Sequence, residues 1–245
     1  MPELHVRPAP EDNALALASF IADLADGAVG ARGRFTIALS GGSTPRRLYQ
    51  ILADPPYASR GRWDRWHVFW SDERCVPPDD PQSNYRMATE ALLDRVPIPP
   101  SQVRRIRGED PPDQAARRYE EQLAALFGHG TPSFDLVLLG LGDDGHTASL
   151  FPGSEALDER QRLVVAPWVP HLAAHRLTFS LPLINAARTV VFLVSDGSKA
   201  DRVKQAIEER VEDPPVPAGL VAPVSGGLHW FLTTDAARQL SRVAP

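Results

Sequence analysis

Apolar positions along the chain follow two different periods, and the segments that carry them alternate. Residues 13–26 put Ala14, Leu17, Ala18, Ile21 and Leu24 on one helical stripe. Phe35-Thr36-Ile37-Ala38-Leu39 then reads as a short buried strand, followed by a helix opening near Thr44. Trp66-His67-Val68-Phe69-Trp70 predicts a second strand and residues 82–93 a helix. Residues 113–127 form another amphipathic helix, with Ala116, Tyr119, Leu123, Ala124 and Phe127 in register. The run from Phe134 to Leu141 is nearly all apolar, as expected of a central parallel strand covered on both faces. Further strands are predicted at 176–180, 188–194 and 228–233, with a helix over 198–210 between the last two. This alternation implies an α/β fold: an open, mostly parallel, Rossmann-like sheet with helices on both faces. No composition break divides the chain, so residues 1–245 are expected to form one domain.

Composition sharpens this picture in three places. Hydrophobic residues make up 43% of the 245 positions, enough for a sizeable core. Prolines number 24, about twice the usual share of roughly 5%. They cluster as Pro55-Pro56, Pro77-Pro78, Pro99-Pro100, Pro111-Pro112 and Pro214-Pro215, each between patterned segments, where they end helices and strands harmlessly. The lone Cys75 excludes an internal disulfide framework and a cysteine zinc site. The 26 basic and 31 acidic residues leave a formal charge of −5, which argues against nucleic acid as a partner. No secretory signal is visible in Met1-Pro2-Glu3-Leu4-His5, and no apolar run approaches the roughly 18 residues of a membrane span. A cytoplasmic protein with no membrane partner is the expectation, and the sequence does not distinguish monomer from homodimer.

Ligands in such sheets bind beyond the carboxyl ends of the strands, so the residues after each strand carry the chemistry. Ser40-Gly41-Gly42-Ser43-Thr44-Pro45 follows the first strand. Its glycines allow close approach to an anion and the next helix offers free N–H groups, although a plain turn with Ser or Thr as N-cap uses the same residues. It is neither G-x-G-x-x-G nor a lysine-bearing P-loop. Ser71-Asp72-Glu73-Arg74 follows the second strand, either as a solvated loop or with Arg74 as a bidentate phosphate ligand. Gly140-Leu141-Gly142-Asp143-Asp144-Gly145-His146-Thr147 places a histidine just past a buried strand, positioned for acid–base work. Asp143, Asp144 and His146 lack a second histidine at ligand spacing for a metal, and no G-x-S-x-G elbow is present. Arg176, opening a strand, and Lys199, after Asp196-Gly197-Ser198, are the remaining cationic candidates.

Together these segments resemble the 6-phosphogluconolactonase family, within the wider glucosamine-6-phosphate deaminase-like group. The resemblance also takes in Pro81-Gln82-Ser83-Asn84-Tyr85, Arg176-Leu177-Thr178, Pro182-Leu183-Ile184-Asn185-Ala186-Ala187, Gly197-Ser198-Lys199 and Leu228-His229-Trp230-Phe231-Leu232, spanning residues 38 to 232 in order. It implies hydrolysis of 6-phospho-D-glucono-1,5-lactone, a phosphorylated sugar lactone, to 6-phosphogluconate in the oxidative pentose phosphate pathway, with no metal or organic cofactor. It places the general base on His146, the anion loop on Gly41, Gly42, Ser43 and Thr44, and phosphate-facing cations on Arg176 and Lys199. Asp72 and Arg74 match the family's charged motif, and Asp144 joins the substrate-binding set. The related amino-sugar phosphate deaminase needs a further carboxylate five residues after that histidine, where this chain has Phe151. A non-catalytic sugar-phosphate sensor would need an appended DNA-binding module, and the residues before 35 show one helix without a basic patch. His171 and His175 receive no role, and Cys75 is read as an inert thiol.

Overall fold

The computed structural model describes residues 1–209 and 216–241. Its centre is a six-stranded parallel sheet built from β1 (Glu3–Arg7), β2 (Phe35–Leu39), β3 (Trp66–Trp70), β5 (Leu136–Leu139), β9 (Thr189–Val194) and β10 (Gly227–Thr233). Their spatial order is β1-β10-β9-β5-β2-β3. Every residue of β2, β5 and β9 is buried, as continuous apolar runs require when both faces of a parallel sheet are covered.

The covering helices are α1 (Pro10–Arg32), α2 (Ser43–Leu52), α3 (Tyr57–Arg60), α4 (Asn84–Ala88), α5 (Pro112–Phe127), α6 (Leu181–Asn185), α7 (Ala200–Ile207) and α8 (Thr234–Ala237). Leu17, Ala18 and Ile21 are wholly buried on the α1 stripe, and Leu24 packs half-buried at its edge. Pro112 opens α5, and Gly33 ends α1 with a left-handed φ of 72° and an N–H donated to the Val29 carbonyl. Thus proline and glycine punctuate the elements as read, while the Pro214-Pro215 pair lies outside the described residues.

The predicted strand at 176–180 requires a correction. It forms as β8 (Ala174–Phe179), but outside the parallel sheet. It pairs antiparallel with β4 (Asp72–Arg74), β6 (Val164–Val165) and β7 (Trp168–Val169) in a small second layer. That layer begins one residue after β3 ends and hangs over the carboxyl ends of the main strands. Phe179 donates its N–H to the Ser71 carbonyl at 2.8 Å, and Ser71 donates to that of Leu39, tying the two layers together.

Candidate active site

The loops after β2, β3 and β5 converge at one end of the sheet and enclose two adjoining hollows. Ser40, Gly41, Asn84, Gly140, Leu141 and Gly142 line the inner one, of about 470 Å³. Asp143, Asp144, Ser149, Phe151, His171, Leu172 and Arg176 line the outer one, of about 830 Å³. Asp72, Arg74, His146 and Ala148 border both.

His146 sits on a tightly pinned loop. Gly142 donates its N–H to the His146 carbonyl at 2.9 Å, and Thr147 donates its hydroxyl to the Gly140 carbonyl at 2.9 Å. A Cβ on Gly142 would lie 2.1 Å from His146 Nδ1, so the ring packs where only glycine leaves room. Gly145 and Ala148 take φ values of 84° and 48°, and the latter stores backbone strain at a non-glycine residue beside the histidine.

Asp144 orients the ring. Its Oδ1 accepts from the His146 amide at 3.0 Å and lies 2.6 Å from Nδ1. Burial pushes the Asp144 carboxyl upward, but these hydrogen bonds from His146 outweigh it and hold the group below its ordinary value. An ionised carboxylate only accepts, so Nδ1 carries the ring proton and the neutral imidazole keeps its lone pair on Nε2. Phe151 packs against the ring at a tilt of 34° with centroids 4.3 Å apart, and His171 meets Phe151 edge-on at 5.1 Å.

The opposite wall is cationic. Arg74 on β4 stands directly across from Arg176 on β8. Like charges at facing positions of an antiparallel pair are destabilising. Burial and then the Arg74 charge push the Arg176 guanidinium below its ordinary pKa. Arg74 Nη1 donates to the Gln82 carbonyl at 2.5 Å and Arg176 Nη1 to that of His175 at 3.1 Å. Neither makes an ion pair with a carboxylate among the described residues.

Beneath this wall lies a buried polar scaffold. Asp72 Oδ2 accepts from the Ser149 hydroxyl at 2.7 Å, linking the charged strand to the histidine loop. Glu73, 2% exposed, accepts from the Arg74, Asn84 and Tyr85 amides at 2.7–2.8 Å and from the Ser83 hydroxyl at 3.1 Å. Burial raises its pKa, and the backbone donors offset part of that shift. The carboxylate therefore anchors residues 83–85 and is turned away from solvent. Asn84 Nδ2 donates to the Asp72 carbonyl, and a Cβ on Gly41 would fall 1.8 Å from Asn84 Oδ1. The second strand end thus packs directly on the glycine turn.

Of the residues singled out in the sequence, the structure brings Gly41, Asp72, Arg74, Asp144, His146 and Arg176 onto the two hollows. Gly42, Ser43, Thr44 and Lys199 are not on either lining. Gly42 is the N-cap of α2 with a φ of 113°, and no side chain caps that helix, so Ser43 and Thr44 do not serve as N-caps. The Gly41 and Gly42 N–H groups have no acceptor among the described residues. Lys199 pairs with the exposed carboxylate of Asp143. Ser40, Asn84, Ser149, Phe151 and His171 also line the site without having been assigned roles there. Asn84 stood inside a recognised motif, whereas His171 comes from a 3₁₀ turn whose placement depends on β7 and β8 pairing.

Comparison with known proteins agrees with this architecture. The profile of the family described as glucosamine-6-phosphate isomerases/6-phosphogluconolactonase matches residues 8–230. A Nostoc protein named 6-phosphogluconolactonase is 43% identical over 221 residues, covering 88% of this chain and 89% of its own. One from Haemophilus influenzae is 40% identical over 204 residues, covering 83% and 87%. The solved 6-phosphogluconolactonase of Trypanosoma brucei superposes with a TM-score of 0.86 at 30% identity, covering 98% of this chain and 99% of that one.

Proposed function

The chain belongs to the glucosamine-6-phosphate isomerase/6-phosphogluconolactonase family, and from that premise we propose that it hydrolyses 6-phospho-D-glucono-1,5-lactone to 6-phosphogluconate in the oxidative pentose phosphate pathway. The observation that carries this reading is that an Asp144-oriented imidazole and two facing arginines without carboxylate partners among the described residues line one and the same hollow.

The phosphate docks between Arg74 and Arg176, where its charge relieves their repulsion. The free Gly41 and Gly42 amides add N–H donors at the start of α2, with the Ser43 and Thr44 hydroxyls behind them. Lys199 joins these cations if substrate draws it from Asp143. Anchored this way, the substrate presents C1 to His146.

His146 Nε2 takes a proton from water as the water oxygen bonds to C1, and the carbonyl electron pair moves onto oxygen. The oxyanion gains about 3–4 kcal/mol from one well-placed donor. On collapse, the C1–ring-oxygen bond breaks and the imidazolium returns its proton to that oxygen. Asp144 holds the imidazolium throughout and stays ionised.

Phe151 favours this reaction over deamination, because its apolar ring occupies the place beside His146 where the deaminase chemistry needs a carboxylate. The test is a paired assay on freshly generated 6-phosphogluconolactone and unphosphorylated gluconolactone, each corrected for spontaneous opening. Hydrolysis of the phosphorylated lactone at a much higher kcat/KM is expected. Equal rates on both would remove the phosphate anchor, and ammonia release from glucosamine 6-phosphate would replace the reaction.

A further inference from the structure

At the opposite end of the sheet, on its outer edge, Glu3, His5 and His229 bring three metal-ligating atoms together. Glu3 and His5 are two residues apart on β1 and so share a face, and Glu3 stands in register with His229 on the parallel neighbour β10. His5 Nε2 lies 3.2 Å from His229 Nδ1. Glu3 Oε2 lies 3.4 Å from His229 Nδ1 and 4.0 Å from His5 Nε2.

Ligands at 2.0–2.1 Å around a tetrahedral zinc ion are separated from one another by about 3.3–3.4 Å. Two of the three separations are already near that value. The Glu3 side chain, 70% exposed, can close the third by rotation. The imidazoles are held from behind. His5 stacks on Phe231 with centroids 4.2 Å apart and rings within 13° of parallel, and Phe20 packs on both histidines. Gly227 makes room for the His229 ring, since a Cβ there would sit 2.6 Å from His229 Nε2.

We infer that Glu3, His5 and His229 form a binding site for one divalent transition-metal ion of the zinc type, which clips the edge strand β1 to β10. Two imidazoles and a carboxylate select such an ion over magnesium or calcium, which favour all-oxygen shells. The exposed side leaves a fourth position for water. Because β1 is an edge strand that pairs only with β10 among the described residues, the ion would stabilise that edge of the sheet without touching the hollows.

The experiment is a titration of the full-length, tag-free protein with cobalt(II) chloride, followed by visible absorption, with zinc chloride thermal shifts alongside. One equivalent of cobalt with the intense spectrum of four-coordinate ions is expected. Zinc at about a hundredfold excess over its dissociation constant should raise Tm by about 5–10 °C. His229→Asn should remove both signals, and Glu3→Gln and His5→Gln should each weaken binding by more than about tenfold. The Glu3 and His5 variants decide the matter if His229→Asn does not fold. The proposal is overturned if no saturable four-coordinate cobalt signal forms, or if that signal survives Glu3→Gln and His5→Gln unchanged.

Discussion

A single oxygen atom, Asp144 Oδ1, receives both the amide and the ring nitrogen of His146. Replacing that carboxylate by an amide lets the imidazole take the wrong tautomer. Asp144→Asn should therefore lower kcat by about 10²-fold with little change in KM, which steady-state kinetics on the phosphorylated lactone would check. The same contact has a pH signature. Folding holds the Asp144 pKa below its ordinary 3.8, so its contribution to stability is present above that value and is lost as pH falls through the folded one. The Tm difference between wild type and Asp144→Asn should shrink on acidification below pH 3.8, and a constant difference would contradict the linkage. Cys75, close to this wall, behaves oppositely. Burial drives its thiol up to about 11, more than Arg176 lowers it. At pH 8 only about one molecule in a thousand then carries the thiolate, so alkylation by iodoacetamide should be far slower than for a free thiol.

At the scale of elements, the pairing of β4 with β8 holds two like charges face to face. Arg74 faces Arg176 across the ladder, and their separation is set by the backbone register. Arg176→Gln should leave the Tm of the unliganded protein unchanged or higher, while raising KM for the phosphorylated lactone more than about tenfold. Inorganic phosphate should raise the wild-type Tm and fail to do so in the variant. Glu73 supports the same strand from below. A glutamine there keeps one accepting oxygen of two, so Glu73→Gln should cost about 1–3 kcal/mol in denaturant unfolding and loosen residues 83–85. Apart from β8, this layer was not readable as structure beforehand. Asp72-Glu73-Arg74 is wholly polar and has no alternation, so it reads as a loop, and β6 and β7 are two residues each. The β8 segment was visible as a strand, but its pairing with β4 depends on contacts roughly a hundred residues apart, which periodicity does not encode.

The molecule as a whole follows its pattern most faithfully where both faces of an element are buried. Phe35–Leu39 and Trp66–Trp70 occupy the predicted bounds, because contiguous apolar runs have no other stable place in a parallel sheet. Glu3–Arg7 escaped notice for the converse reason: an edge strand with polar ends lacks that signature. The first helix shows another limit of counting apolar runs. Pro10–Arg32 has a mean hydropathy of 1.5 over an 18-residue window, long and apolar enough by composition to cross a membrane. Its alanines supply much of that value, and its buried stripe packs on the sheet and α2. The candidate site was legible in Gly41, Arg74, His146 and Arg176, because strand ends and loop chemistry are local, whereas Gly42, Ser43, Thr44 and Lys199 fall outside both linings. The arginine opposition, the Glu73 anchor and the place of His171 are tertiary and were not. Charge follows the same division: a net −5 says nothing of the two guanidiniums gathered at one wall. The most direct measurement is steady-state turnover of freshly generated 6-phosphogluconolactone by His146→Asn beside wild type, both corrected for spontaneous opening. A kcat lowered by about 10²–10⁴-fold with KM within about threefold is predicted. Turnover near the wild-type rate would contradict His146 as the base.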